Sequence, residues 1–483
     1  MAYRYGNRYQ MALFPQSIEK YVPHDSPVRA YDAFVEALDF SELGIDTNPY
    51  KVGNSEYDPK AMLKLLVYGY SYGVKSSRKL ERETHNNLSF IWLMGGLKPD
   101  HKTIAEFRRR NKQALKRVLR DCARVCIKLN LMTGNVLFVD GSKIRANAGR
   151  DNSYKQDYYE KLLVDIDRRI DQLLTDCESA DQQEEGAGSY TSMDVELTKT
   201  QNLKERIKNI LGAFTTSDKK KINKTDPDCA IMHSVQGSHA AYNVQSVVDD
   251  EHGLIVHVEA ISDTNDAHQF ARQIDQANEL FETPCQAACA DAGYADTEEL
   301  EKIDQQGIKV VVPSQRQALH EKQKPFSKEC FAYDAKQDCY LCPVGHRLLY
   351  STRNKENGKR QYRMEDKKLC HGCQNYGDCT KADRGRNIMR LPNEEVREKL
   401  EAQYLESASQ EIYARRKAKV EHPFGHIKRN LKTDAFLLRG RDGVQAETSL
   451  LATCFNIARM ITIFGVTVLI DKLSGLSPIS VAY

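Results

Sequence analysis

The sequence predicts an α/β protein: a mixed β-sheet with helices, preceded by a helical region and interrupted by a helical hairpin and a cysteine-rich insertion. Three observations point there. Residues 58–128 carry apolar positions at helical spacing, punctuated by turn residues. From residue 136 to residue 312, short β-type runs alternate with helix-forming stretches. Residues 157–214 carry two apolar seams of helical period, and six of the 13 cysteines fall between Cys330 and Cys379. At 483 residues the chain has room for two to four folding units of roughly 100 to 200 residues.

Composition narrows the function. Lys and Arg number 70 and Asp and Glu 67, a formal charge of +3, so any electrostatic role must come from local clustering rather than from the whole chain. An apolar share of 41% fits a soluble globular protein and disfavours disordered, fibrous and membrane classes. The first ten residues hold no apolar core of a secretory signal, so a cytoplasmic location is expected. The longest apolar run, residues 460–470, is shorter than the roughly 18 residues a spanning helix needs, and reads as a buried terminal helix or strand. Thirteen cysteines without an export signal are expected as reduced thiols or metal ligands.

In chain order, Met62, Leu63, Leu65, Leu66 and Val67 form one apolar helical face that closes near Gly69 and Gly73. Ser76 or Ser77 can cap the next helix, Asn86 and Asn87 punctuate it, and Gly95-Gly96 ends the apolar stretch after Leu88. Thr103 and Glu106 form a capping-box pattern that opens a helix expected to run to Lys128. Residues 102–128 hold ten basic side chains, among them Arg108, Arg109, Arg110, Arg117, Arg120 and Arg124, against Glu106 and Asp121. On charge alone this is either a solvated face or a polyanion-binding surface.

Residues 136–139 form a short β-type run expected to stop at Asp140, before Gly141-Ser142-Lys143. Leu163, Ile166, Ile170 and Leu173, then Leu203, Ile207, Ile210 and Phe214, are the seams of two helices around an acidic tip at residues 178–192. Residues 242–248 and 254–260 read as strands of a hairpin turning at residues 249–253. A helix is expected over 266–281, a strand over 287–290 leading into Asp291-Ala292-Gly293-Tyr294, a helix over 297–306 and a strand over 309–312.

Cys339-x2-Cys342 and Cys370-x2-Cys373 are two knuckles separated by 27 residues, each able to present two thiolates to a tetrahedral ion. Cys379, Cys330, His346 and His371 are further candidates. A structural zinc stapling a small subdomain over residues 316–391 is expected, with metal-free reduced thiols and disulfide or redox chemistry as the alternatives; four thiolates would leave no open position for a catalytic zinc. Residues 401–432 are helix-forming and basic after Tyr413, with Arg415, Arg416, Lys417, Lys419, Lys428, Arg429 and Lys432 around Glu421. Tyr413, Lys417, Glu421, Phe424 and Lys428 share one helical face. Pro423 is expected to kink that helix beside Glu421.

These motifs together resemble a bacterial insertion-sequence transposase of the DDE type, over nearly the whole chain. Arg8-Tyr9-Gln10, Leu13-Phe14-Pro15, Pro99-Asp100-His101-Lys102-Thr103 and Phe107-Arg108 resemble the family's N-terminal DNA-binding domain. Val139-Asp140-Gly141-Ser142 resembles the first catalytic strand, Tyr242-Asn243-Val244-Gln245 the second strand, and Ala290-Asp291-Ala292-Gly293-Tyr294 the second acid's motif. Val420-Glu421-His422-Pro423-Phe424-Gly425 with Lys428 resembles the third motif, Tyr-x2-Arg-x3-Glu-x6-Lys. Here four residues separate Arg416 from Glu421 and Lys417 holds the strict arginine position, so either could support a phosphate.

The resemblance implies a ribonuclease-H-like catalytic domain over residues 131–483, with insertions at 151–238 and 316–391, after a helical DNA-binding domain at 1–130. It implies that Asp140, Asp291 and Glu421 hold two Mg2+ or Mn2+ ions for in-line cleavage at insertion-sequence ends and strand transfer. Arg108, Arg109, Arg110, Lys143, Arg416, Lys417 and Lys428 are the expected DNA contacts. Expected partners are double-stranded DNA, as terminal inverted repeats and target, and further copies of the chain in a homodimer or larger synaptic assembly, with no membrane. A transposase-derived DNA-binding regulator and a metal-dependent nuclease without strand transfer are the alternatives.

Overall fold

The computed structural model describes residues 17–48, 50, 55–182, 187–216, 219–234, 237–319, 325–355 and 358–476, with side chains of 176–194 left out. Arg8-Tyr9-Gln10 and Leu13-Phe14-Pro15 lie outside the described residues. Contacts divide the chain into two units: Met1–Thr133, Asp140–Asn265 and Lys419–Tyr483 form the first, Gly134–Val139 and Asp266–Ala418 the second.

The first unit opens with helices α1 (Pro27–Glu36), α2 (Phe40–Leu43), α3 (Pro59–Ser71), α4 (Ser77–Asn86), α5 (Leu88–Leu93), α6 (His101–Arg110) and α7 (Lys112–Lys128). In α3 the five apolar residues singled out by spacing are all buried, and Asp58 caps the helix by accepting the Lys60 amide at 3.0 Å, with Pro59 in the first turn. The expected helix from Thr103 to Lys128 is two helices that meet at Asn111. Its cap is Asp100, whose Oδ1 accepts the Thr103 amide at 2.7 Å. Glu106 is turned instead to the guanidinium groups of Arg109 and Arg110.

Strand β1 (Val136–Arg145) does not stop at Asp140 but runs five residues past it. After β2 (Ser153–Tyr154) come the hairpin helices α8 (Gln156–Gln182) and α9 (Ala187–Thr216), then β3 (Ile222–Asn223), β4 (Ala230–Ser234), β5 (Gly237–Asp249) and β6 (Ile255–Ile261). The seams meet as their period requires: Ile166, Ile170, Ile207 and Ile210 are buried together with Tyr159, whose hydroxyl donates to the Ile222 carbonyl at 2.8 Å. Strand β5 pairs antiparallel with both β4 and β6. Its turn to β6 closes at Gly253, whose φ of +68° is cheap only for glycine.

In the second unit, residues Val136, Leu137 and Phe138 of β1 pair in parallel with Ala287, Ala288 and Cys289 of β7 (Ala287–Cys289), which pairs in parallel with β8 (Lys309–Val311). Parallel and antiparallel pairings together make the sheet mixed, as the element order predicts. Helices α10 (Phe270–Asn278), α11 (Thr297–Asp304) and α12 (Gln315–Ala318) accompany these strands. The cysteine-rich insertion is a five-stranded antiparallel sheet of β9 (Ala332–Asp334), β10 (Cys339–Leu341), β11 (Arg347–Arg353), β12 (Arg360–Met364) and β13 (Asn387–Arg390), with α13 (Lys367–His371) between the last two. Phe331, Tyr340, Leu348, Tyr362, Met364, Cys370 and Ile388 form its own core.

Helices α14 (Glu394–Tyr404) and α15 (Ser407–Arg429) follow, and α15 begins in the second unit and ends in the first. Pro423 does not break α15. It faces inward with Val420, Phe424 and Ile427, and it lines an apolar seam with Val244, Ile255 and Val258. Burying several such side chains, each worth about 1.5 to 3 kcal/mol, outweighs the roughly 3 kcal/mol an interior proline costs a helix.

Back in the first unit, α16 (Gly440–Phe464) and α17 (Val466–Ser474) end the described chain, and the apolar run at 460–470 is helical and split at Gly465. Helix α16 packs on α7 and α3, so the C-terminal segment shares its core with the N-terminal helices. No single helix among the described residues is long and apolar enough to cross a membrane.

Candidate functional site

Asp140 lies within β1, half-buried, and Ser142 follows it in the same strand. The Lys428 ammonium donates to Ser142 Oγ at 2.5 Å. Burial lowers the pKa of Lys428, while the charges of Asp140 and Asp434 oppose that shift. Lys428 is therefore a half-buried cation in the field of Asp140. Glu421 stands seven residues earlier in α15, two turns away on the same face, and is exposed. It makes no ion pair or hydrogen bond among the described residues, although Arg415, Lys417 and Lys419 flank it in sequence. Lys143 donates to the His233 carbonyl at 2.9 Å.

In the second unit, Asp291 follows β7 and caps the short turn Ala292–Tyr294 by accepting the Gly293 amide on Oδ1 at 2.8 Å. A Cβ at position 293 would stand 2.9 Å from that oxygen, so glycine is needed for close approach rather than for an unusual φ. Tyr413 in α15 feels the charge of Asp291: burial raises its pKa, Arg416 pulls it down, and Cys289 and Asp291 push it up. The Arg416 guanidinium lies 5.6 Å from the centre of the Tyr413 ring. Lys417 is exposed. Of the two basic residues left open by spacing, Arg416 is the one whose guanidinium lies over the Tyr413 ring.

The basic helices divide differently from their sequence pattern. Arg108, expected as a DNA contact, is only 3% exposed and donates to the Tyr70 hydroxyl at 3.2 Å and the Lys75 carbonyl at 3.1 Å. Its charge acts on Glu447, a fully buried carboxyl whose pKa burial raises and which accepts the Leu437 and Leu438 amides. Arg108 belongs to that buried polar network and is unavailable to a ligand at the surface. Arg109 and Arg110 are exposed and paired to Glu106, and their hydrogen bonds hold that carboxyl down at about 2.

The four cysteines of the two knuckles do not share one surroundings. Cys342, Cys370 and Cys373 line a cavity with Cys379 and His346. Cys339 is in β10, opposite Asp334 and Leu349 and one residue from Tyr340, so it points to the sheet face away from the Tyr340 core. Among the described residues, no group of three or more His, Cys, Asp or Glu side chains stands close enough to hold a metal ion as they are placed.

Sequence reasoning passed over Ser142 as a functional partner although it directly follows Asp140-Gly141. A hydroxyl two residues beyond an acid in a strand faces the same side of the sheet, and that alternation was the available signal.

Two family models match the chain: residues 341–461 match one described as Transposase DDE domain, and residues 16–110 one described as Transposase domain (DUF772). The first match spans Glu421 and Lys428, and the second the helical N-terminal region. No curated protein matches the sequence. A solved structure described as piggyBac transposase in a synaptic complex with hairpin DNA aligns over 95% of this chain and 87% of its own, at 9% identity. Its TM-score of 0.26 is too low to define a shared fold.

Proposed function

We propose that this chain is an insertion-sequence DDE transposase, an enzyme that cleaves DNA and transfers the cut strand, with Asp140, Asp291 and Glu421 as its catalytic acids; the two family-model matches support that reading. The supporting observation is the register of β1 on β7. Phe138 pairs with Cys289, and each acid follows its paired residue by two positions, Asp140 after Phe138 and Asp291 after Cys289. Parallel strands in that register run in step toward both acids. The proposed scaffold is a ribonuclease-H-like core.

The donor set fits a hard divalent cation, since all three are carboxylates. Glu421 has no other partner among the described residues, and Asp291 commits Oδ1 to the Gly293 amide. These acids would hold Mg2+ or Mn2+. Bound there, such ions would supply activation of a water or DNA 3′ hydroxyl and charge stabilisation at the leaving oxygen. The protein's own contribution is positional. Lys428, oriented by Ser142, and Arg416, stacked on Tyr413, would hold phosphate oxygens of the DNA ends. Arg109, Arg110, Lys143 and Lys417 would contact backbone phosphates at longer range. The chain would act in the cytoplasm on terminal inverted repeats and target DNA, as a homodimer or larger assembly, because two ends must be joined.

The test is cleavage and joining of DNA carrying the inverted repeats that flank the coding region. Mg2+-dependent 3′-end release followed by joining to a target supports the proposal. Cleavage without joining would reduce the chain to a nuclease.

A further inference from the structure

We propose a tetrahedral zinc site formed by Cys342, Cys370, Cys373 and Cys379, with Cys339 outside it. The two knuckles of the sequence do not supply two thiolates each. Strand alternation separates Cys339 from Cys342, because β10 turns Tyr340 into the core of the insertion and Cys339 to the opposite face. Cys342, just past the end of β10, packs against the Tyr340 core, as do Cys370 and Cys379.

Cys342 begins a turn, Cys373 and Cys379 sit in a bend and a turn, and Cys370 stands near the end of α13. The Gly345 amide donates to the Cys342 carbonyl at 2.8 Å, and the His346 amide donates to Cys342 Sγ at 3.3 Å. Gly345 has a φ of +91°, which this turn reserves for glycine. On the second knuckle, the Cys373 amide donates to the Cys370 carbonyl at 3.1 Å, and the Arg386 amide donates to Cys370 Sγ at 3.5 Å. The Cys379 amide donates to the Asn375 carbonyl at 2.9 Å. These backbone hydrogen bonds fix where the Cys342 and Cys370 sulfurs stand.

The cavity that the four cysteines line measures about 30 Å³, the size of a single small ion or water rather than of an organic ligand. Arg386 supplies compensating positive charge, because its guanidinium donates to the Cys379 carbonyl at 3.0 Å. The thiols stand apart from ligating distance in this arrangement. Binding would bring the four side chains inward, with the four thiol protons released to solvent as four Zn–S bonds form. His346 lines the same cavity, but it belongs to the turn that presents Cys342, and Cys379 completes the set. The metal would close a subdomain whose own core is seven buried side chains.

The test measures zinc in the full-length protein, purified under reducing conditions without chelator, by elemental analysis after gel filtration. One zinc per chain is expected for the wild type and for Cys339→Ser and His346→Ala. Cys342→Ser, Cys370→Ser, Cys373→Ser and Cys379→Ser should each lose most of it. Because those four variants could misfold, Co2+ is also exchanged into the wild type, Cys339→Ser and His346→Ala proteins. All three should give the same intense tetrahedral, four-thiolate spectrum. Zinc well below one per chain in the wild type would overturn the site, as would a three-sulfur, one-nitrogen spectrum. So would zinc lost from Cys339→Ser but kept by Cys379→Ser.

Discussion

The ammonium of Lys428 and the hydroxyl of Ser142 are hydrogen-bonded at 2.5 Å, which ties the third sequence motif to the strand that carries Asp140. Lys428→Ala should lower cleavage of a cognate end about 10- to 100-fold, the range set by a charged hydrogen bond of ~1.5 to 3 kcal/mol. Ser142→Ala should cost less, because the lysine keeps its charge and loses only its orientation. Single-turnover cleavage rates on end DNA check both, and equal losses would contradict the orienting role of Ser142.

Gly293→Ala should impair cleavage while leaving the fold intact. The added Cβ would stand 2.9 Å from Asp291 Oδ1, closer than carbon and oxygen tolerate, so the carboxylate must move. A displacement of that kind costs on the order of 100-fold in rate. Thermal melting like wild type with reduced cleavage is the expected pair of results.

Met460→Ala should destabilise the first unit by about 2 to 4 kcal/mol, as for other buried large-to-small changes. Met460 is fully buried, and its sulfur lies 3.7 Å from Cys126 in α7. The urea midpoint should fall with little change in slope.

Asp121→Asn tests a buried carboxyl. Burial raises the Asp121 pKa to about 6 against the favourable charge of Arg124. A carboxyl with a raised folded pKa stabilises the fold most below its unfolded value near 4, and that contribution is lost as pH rises through about 6. The stability of Asp121→Asn relative to wild type should therefore climb between pH 4 and 6.5 and then level off, by up to about 3 kcal/mol. Parallel melting curves across that range would contradict it.

Periodicity alone gave the helices of the N-terminal region, the α8–α9 arm and the β5–β6 hairpin, because each buries one face at a regular interval. It missed the break at Asn111, across which the packing changes from α6 on α4 to α7 on α16. It ended β1 at Asp140, since Gly141-Ser142-Lys143 has no β-forming pattern and is held extended by the sheet. Arg108 carries the charge of a surface residue and sits in the core because Glu447, far away in sequence, is buried beside it. The cysteine spacing announced a metal knuckle, but only strand alternation separates Cys339 from Cys342. Spacing likewise left Arg416 and Lys417 open, and only the position of the Tyr413 ring sets Arg416 apart from the exposed Lys417.

The catalytic assignment stands or falls on Mg2+-dependent cleavage of end DNA by Asp140→Asn, Asp291→Asn and Glu421→Gln, each assayed beside its binding to the same DNA. Each should lose at least ~1,000-fold in cleavage, because electrostatic stabilisation of the transition state goes with the carboxylate, while binding is kept. Near-wild-type cleavage by any one of the three would remove that acid from the catalytic set.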